Sequence, residues 1–216
     1  MTITVDIFEP SDLEALIKQT LPTVRTDLNH YNFADYLWTD YYNHTNQIER
    51  KKIDEILSDM DRVEDQLGRE IQRADHTYLL YEGSFEPAIS AGKQGTRSFH
   101  KTKDGKLLVP GHYYNVSYAG IMAWMDQLDK CGITIINSMD YRTTAAIIIA
   151  LYRNQQKAME DHATFHRTIK HKIYPKPKNP HIETLMGIAG AELGETRATA
   201  LIAEFGTVWA VLRQTT

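Results

Sequence analysis

The sequence predicts a three-layer α/β domain followed by a small helical unit, and three observations lead there. Short β-rich runs alternate with amphipathic helical runs through most of the chain. Three prolines, Pro175, Pro177 and Pro180, then interrupt a basic stretch and forbid a continuing helix. Beyond them lie three short helical segments with no strand among them. The 216 residues suit one medium domain with an appendage. With 42% hydrophobic and 24% charged residues, a hydrophobic core must hold the fold, because a single cysteine, Cys131, permits neither an internal disulfide nor a cysteine-based zinc cage.

Ile3–Asp6 alternates as a short strand, and Pro10-Ser11-Asp12 opens a helix carrying Leu13, Leu16 and Ile17. Three extended segments follow, Val24–Leu28, Tyr36–Trp38 and Gln47–Arg50, separated by polar turns such as residues 42–46, and together they predict a meander. From Ile53 to Arg73 apolar residues recur at helical spacing, which predicts one long amphipathic helix. Thr77–Tyr81 reads as a strand, Ala91–Lys106 as a mobile glycine-containing loop, Tyr118–Lys130 as a helix, Ile133–Asn137 as a strand and Thr143–Phe165 as a long helix. Helices are expected near 180–187, 195–204 and 207–213.

The formal net charge of −4 does not by itself suggest a nucleic-acid binder. Its distribution is less even. The loop 91–106 carries Lys93, Arg97, Lys101, Lys103 and Lys106 against the single acid Asp104, and residues 162–182 contain no acid at all. Two basic segments on a mildly acidic chain form a local footprint for phosphates, although a Lys/Pro linker is equally a solvated spacer. The longest apolar run is Ala145–Leu151, too short for a membrane span, and the opening MTITVDIFEP lacks a basic then apolar signal segment, so a cytoplasmic location is expected.

On a strand through Gln47–Lys52, Glu49 and Lys51 share one face and Arg50 takes the other. With Asp35 opposite Glu49, the two carboxylates would make a hard oxygen site suited to Mg²⁺, with Lys51 beside it. Such a set suits phosphodiester hydrolysis. A Glu-X-Lys triplet alone occurs on many solvated strands. Asp6 and Glu9 are placed to cap the helix after Pro10. His162 and His166 have zinc-compatible spacing but no acid or cysteine nearby to complete a set.

Five landmarks in order, Val5-Asp6-Ile7-Phe8-Glu9, Ala34-Asp35-Tyr36, Glu49-Arg50-Lys51, the segment with Ser58, Arg62 and Gln66, and Tyr81-Glu82-Gly83, resemble the signature of the XPF-type structure-specific endonucleases. The departures are Phe8 for an Arg, Ala34 for a Gly, Glu55 for an Asp and Asp61 for a Gly. The resemblance implies a restriction-endonuclease-like core, a mixed sheet flanked by helices. It implies catalytic Asp35, Glu49, Arg50 and Lys51, and metal ligands Asp35 and Glu49 with help from Asp6 or Glu9. Residues 188–212 resemble a helix-hairpin-helix motif, with Glu192 in place of its first Gly. There the amides near Gly194, Glu195 and Thr196, with Arg197, would bind a phosphate without reading bases. The alternative is an ordinary helical bundle with Leu185, Leu193, Leu201, Ile202, Phe205, Val208 and Leu212 as its core.

These readings imply a nuclease domain at 1–174, a linker at 175–180 and a helix-hairpin-helix unit at 181–216. The implied activity is a Mg²⁺-dependent endonuclease, with Mn²⁺ as substitute, cutting branched double-stranded DNA as a homodimer. Arg62, Lys93, Arg97, Lys101 and Lys103 would contact DNA beside residues 194–197. A non-catalytic DNA-binding scaffold and a DNA exonuclease are the competing readings.

Overall fold

A computed structural model describes residues 2–102, 104–158, 161–162, 179–188 and 193–215. The chain divides into two compact units, residues 1–163 and 164–216. The expected linker lies outside the described residues except for Asn179 and Pro180, the latter opening a helix rather than closing the linker.

The first unit is built on a six-stranded sheet. Strand β1 (Ile3–Asp6) leads through α1 (Ser11–Lys18) to β2 (Thr23–Thr26), then come β3 (Tyr36–Thr39), β4 (Thr45–Lys52), β5 (His76–Glu82) and β9 (Ile133–Ser138), in the order β2-β1-β3-β4-β5-β9. The expected meander is corrected here, because β1 lies between β2 and β3. Leu13 and Ile17 of α1 pack into the core, so the chain returns parallel on the outer side of β1. Only β3 runs against the others, pairing antiparallel with both β1 and β4. The sheet is therefore mixed.

Adjacent residues on β5 bury opposite faces. Leu80 joins Ile3, Val5, Tyr36, Trp38 and Ile48 under α1 and α5 (Tyr141–Gln155). Leu79 joins the other face under α2 (Ile53–Ser58), α3 (Met60–Glu70) and α4 (Tyr118–Lys130). Burial on both faces is what a mostly parallel sheet requires. The helix expected over 53–73 breaks at Asp59, where φ is −156°. The Ser58 hydroxyl donates to the Glu55 carbonyl, and the Asp59 carboxylate accepts the Arg62 N–H at 3.0 Å, so Asp59 caps a new helix. The helix expected to reach Phe165 ends at Gln155, whose carbonyl accepts the N–H of Tyr41 at 2.9 Å and whose side chain bridges Trp38 and Tyr78.

The expected mobile loop at 91–106 is largely strand. Between β5 and α4 the chain forms a three-stranded antiparallel sheet, β6 (Ser84–Ser90), β7 (Lys93–Lys101) and β8 (Leu108–Tyr114). Ala91 and Gly92, both at positive φ, make the two-residue hairpin loop between β6 and β7. Gly83, at φ +109°, turns the chain from one sheet into the other, and a Cβ there would lie 2.7 Å from Ile53 Cγ2 and 3.0 Å from the Phe99 carbonyl. This small sheet meets α2 through Asp54, which accepts from Tyr114 Oη at 2.8 Å and pairs with His100 at 2.6 Å.

The second unit contains α6 (Pro180–Met186), α7 (Glu195–Phe205) and α8 (Val208–Leu212), as expected. Leu185, Ala198, Ile202, Val208 and Val211 form its core. Leu212, expected inside, is 40% exposed, and Val211 takes its place. Among the described residues no helix is long and apolar enough to cross a membrane.

Candidate active site

Because β1, β4 and β5 are mutually parallel in direction and β3 runs against them, Asp6, Asp35, Glu49–Lys51 and Glu82 all fall toward one end of the sheet, the carboxyl end of the parallel strands. Sites in open α/β sheets form at that end. Tyr36 pairs with Ile48, so one residue further along Asp35 lies opposite Glu49. Asp35 also joins neighbouring strands. Its carbonyl accepts from Asp6 N–H at 2.8 Å, and its carboxylate accepts from Arg50 N–H at 2.8 Å.

Alternation along β4 divides the Glu49-Arg50-Lys51 triplet between the two faces. On the α3 face, Glu49 is fully buried, and its Oε1 accepts from Lys51 Nζ and, at 2.8 Å, from Gln66 Nε2. Gln66 donates equally to Glu70, at 2.8 Å. Glu70 is 2% exposed and was not anticipated from the sequence. Its signal is its position: Val63, Leu67 and Glu70 share the buried stripe of α3, so an acid stands where the helical period places an apolar residue. Glu49 Oε2 and Glu70 Oε2 are both buried and accept from no other residue, and the two carboxyls lie within hydrogen-bonding reach of each other. Beside them a cleft of about 130 Å³ is lined by Lys51, Glu55, Ser58, Asp59, Arg62, Val63 and Gln66.

Charge crowding sets the protonation of this group. Burial pushes Glu49 up to about 8, with Glu70 adding to the rise and Lys51 opposing it. Burial likewise pushes Glu70 up to about 7, and Asp35 adds to that. Asp35 itself is raised well above the carboxylate range by burial, then by Glu49 and Glu9. For Lys51 burial works against the charge, but Glu49, Asp35 and Glu55 outweigh it and raise the amine. The arrangement is a fixed cation among acids that cannot all be ionised together.

Arg50 lies on the opposite face. Its guanidinium reaches Glu82 at 3.1 Å and Glu9 at 3.5 Å, and Glu9 in turn accepts from the Tyr36 hydroxyl. Glu82 continues to Thr144 Oγ1 at 3.3 Å. Burial raises Glu9, and Arg50 partly offsets it. Asp6 is fully buried and accepts three backbone N–H groups, from Phe8 at 2.8 Å, Leu28 at 2.7 Å and Asn29 at 3.0 Å. It holds the turn after β1 against the turn before β3. Neither Asp6 nor Glu9 caps α1, whose N-cap is Pro10 without a side-chain bond.

The remaining expected contacts are dispersed. Arg62 lines the cleft beside Lys51. Lys93 and Arg97 lie on β7, and Lys101, also on β7, pairs with Asp140 at 3.1 Å. Lys103 lies outside the described residues. In the second unit Gly194 is the N-cap of α7, with no side-chain hydrogen bond at the cap, and Thr196 and Arg197 are exposed on its first turn, which begins at Glu195.

No protein-family model matches this sequence, and no curated protein sequence does. Among solved structures the chain is similar to XPF from Aeropyrum pernix, at 18% identity and a TM-score of 0.49, covering 97% of this chain and 84% of that one. It is also similar to XPF from Aeropyrum pernix in complex with DNA, at 21% identity and a TM-score of 0.47, with the same coverage.

Proposed function

We propose that the chain is a divalent-metal-dependent nuclease hydrolysing DNA phosphodiester bonds at branched sites. The observation that carries this reading is the buried acid cluster of Glu49, Glu70 and Asp35 beside the Lys51 amine, in which the Glu49 and Glu70 carboxyls hydrogen-bond to each other. Buried carboxyls facing each other must share a proton or meet a cation, and three carboxylates offer the hard ligand set that Mg²⁺ or Mn²⁺ takes. Their hard oxygen donors suit the ion in chemistry, and the three carboxylates would have to draw together to hold it, since their oxygens do not all lie within 4.8 Å of one another. Asp35, Glu49 and Glu70 would hold it.

When bound, the ion would supply charge neutralisation at the phosphodiester and a lowered pKa for water. The chain's own residues do the rest. Gln66 spans Glu49 and Glu70 and fixes both carboxylates with its two N–H donors. Lys51 stays cationic and hydrogen-bonded to Glu49, positioned to orient water or to stabilise charge developing on the phosphate. Arg50 acts as a positioning residue: its backbone N–H fixes Asp35, and its guanidinium anchors Glu9 and Glu82 across the sheet. Asp6, with three N–H groups on its carboxylate, serves the same supporting role and not that of a ligand.

Branched DNA as substrate rests on the resemblance of the ordered sequence landmarks. Arg62 at the cleft, Lys93 and Arg97 on β7 and the first turn of α7 are the phosphate contacts in this reading, and a homodimer is the assembly. The test is cleavage of labelled flap, fork, four-way junction and plain duplex DNA with Mg²⁺, comparing wild type with Glu49→Gln and Glu70→Gln. Branched DNA cut by wild type and left whole by both variants is the expected result. Tight binding without cleavage in either Mg²⁺ or Mn²⁺ would instead make the chain a DNA-binding scaffold. Activity on linear but not circular substrates would make it an exonuclease.

A further inference from the structure

At the opposite end of the sheet, the turn between β3 and β4 and the start of β5 bring three other side chains together. We propose that Asp40, His44 and His76 form a second metal site, for a borderline dication such as Zn²⁺. One ligand atom from each residue lies within 4.8 Å of the others. Asp40 Oδ2 and His44 Nδ1 are 3.1 Å apart, and the His44 and His76 rings meet edge to face with centroids 5.6 Å apart.

The site is held from the backbone upward. Asp40 is 7% exposed, and its Oδ1 accepts the N–H groups of Tyr42 and His44, both at 2.8 Å, which leaves Oδ2 for the imidazole. Asn43, at φ +66°, closes the turn, and Asp40 N–H donates to the His44 carbonyl at 2.9 Å. His76 is fixed by sheet register, opposite Asn46 in the parallel β4–β5 pair. A tetrahedral zinc with ligand bonds near 2.1 Å needs donor atoms about 3.4 Å apart. The Asp40–His44 pair is close to that spacing, and rotation of the exposed imidazoles of His44 and His76 would close the rest.

Asn46 braces the turn that carries His44. Its amide donates to the His44 carbonyl at 3.0 Å, while its Oδ1 is buried without a hydrogen-bond partner. Two imidazoles and one carboxylate favour zinc over magnesium, so this site and the acid cluster select different ions. The ion would tie the β3–β4 turn to the first residue of β5. This inference does not depend on the nuclease reading.

The experiment uses the full chain, stripped with EDTA and held in excess Mg²⁺, with Zn²⁺ added by calorimetric titration. Co²⁺ is followed in parallel by its visible absorption. Expected are one tight zinc equivalent, a tetrahedral cobalt spectrum, and a melting temperature that rises with Zn²⁺. His44→Ala and His76→Ala should each weaken binding at least about tenfold, the lower bound set by the loss of a mere supporting partner at such sites. Melts without zinc establish that the variants fold, and His76→Gln repeats the test with a side chain closer in size. Zinc uptake unchanged in the His44→Ala/His76→Ala double variant would overturn the proposal and assign the metal to other histidines, such as those at 162–181. Loss of uptake in Glu49→Gln would overturn it in favour of the acid cluster, and no uptake by wild type would overturn it outright.

Discussion

Replacing Glu49 by Gln should make the metal-free protein more stable at pH 8, although it removes a central residue of the candidate active site. The sign follows from linkage. Glu49 ordinarily titrates near 4.5, and in the folded protein burial and Glu70 lift it to about 8. Between those values the folded state binds more protons than the unfolded chain, so stability falls as pH rises through the window. At 1.36 kcal/mol per unit, this disadvantage reaches on the order of 4 kcal/mol at pH 8. Glutamine carries no such penalty, and the pull of Lys51 on the charged carboxylate is already contained in the value of about 8. A gain of about 4 kcal/mol follows, equivalent to roughly 8–16 °C for a chain of this size. Thermal melts in EDTA at pH 5 and pH 8 measure it. The gain should be present at pH 8 and nearly absent at pH 5, and Mg²⁺ should raise the melting temperature of wild type more than that of the variant. A variant no more stable than wild type at pH 8, or equally stabilised at both pH values, would refute the assignment of Glu49 as a charge held at the expense of stability.

Two further substitutions probe the frame around the site. Asp6→Asn should destabilise by roughly 2–3 kcal/mol in urea unfolding, because its amide offers one acceptor oxygen and sets an N–H₂ against backbone donors. The Mg²⁺-induced shift in melting should survive; its loss with stability intact would make Asp6 a ligand. Gly83→Ala should cost about 2–4 kcal/mol in chemical denaturation, since the new Cβ meets Ile53 and the Phe99 carbonyl at a backbone angle that disfavours side chains. A loss below about 1 kcal/mol would show that the junction between the sheets yields.

The sequence by itself determined what local chemistry can encode. Period-two and period-3.6 patterns located β1, β3–β5, β9, α1, α4 and the C-terminal helices, because burying one face of an element leaves its imprint within a few residues. The same alternation showed that Glu49 and Lys51 share a face that Arg50 does not. Breaks in the pattern were harder to read. Asp59 sits within an apolar period that runs on past it, and only its carboxylate on Arg62 N–H restarts the helix. Ala91-Gly92 reads as a flexible loop until strands on either side pair across it. Tertiary structure alone decided which strands are neighbours, and with that which acids meet. β1 inserts between β2 and β3 and thereby brings Asp35 to Asp6, and the packing of α3 delivers Glu70 to Glu49 through Gln66. His76 likewise reaches Asp40 and His44 only through the β4–β5 register. Strand order and register are set by the burial of both sheet faces at once, a property of the whole core that no single segment contains.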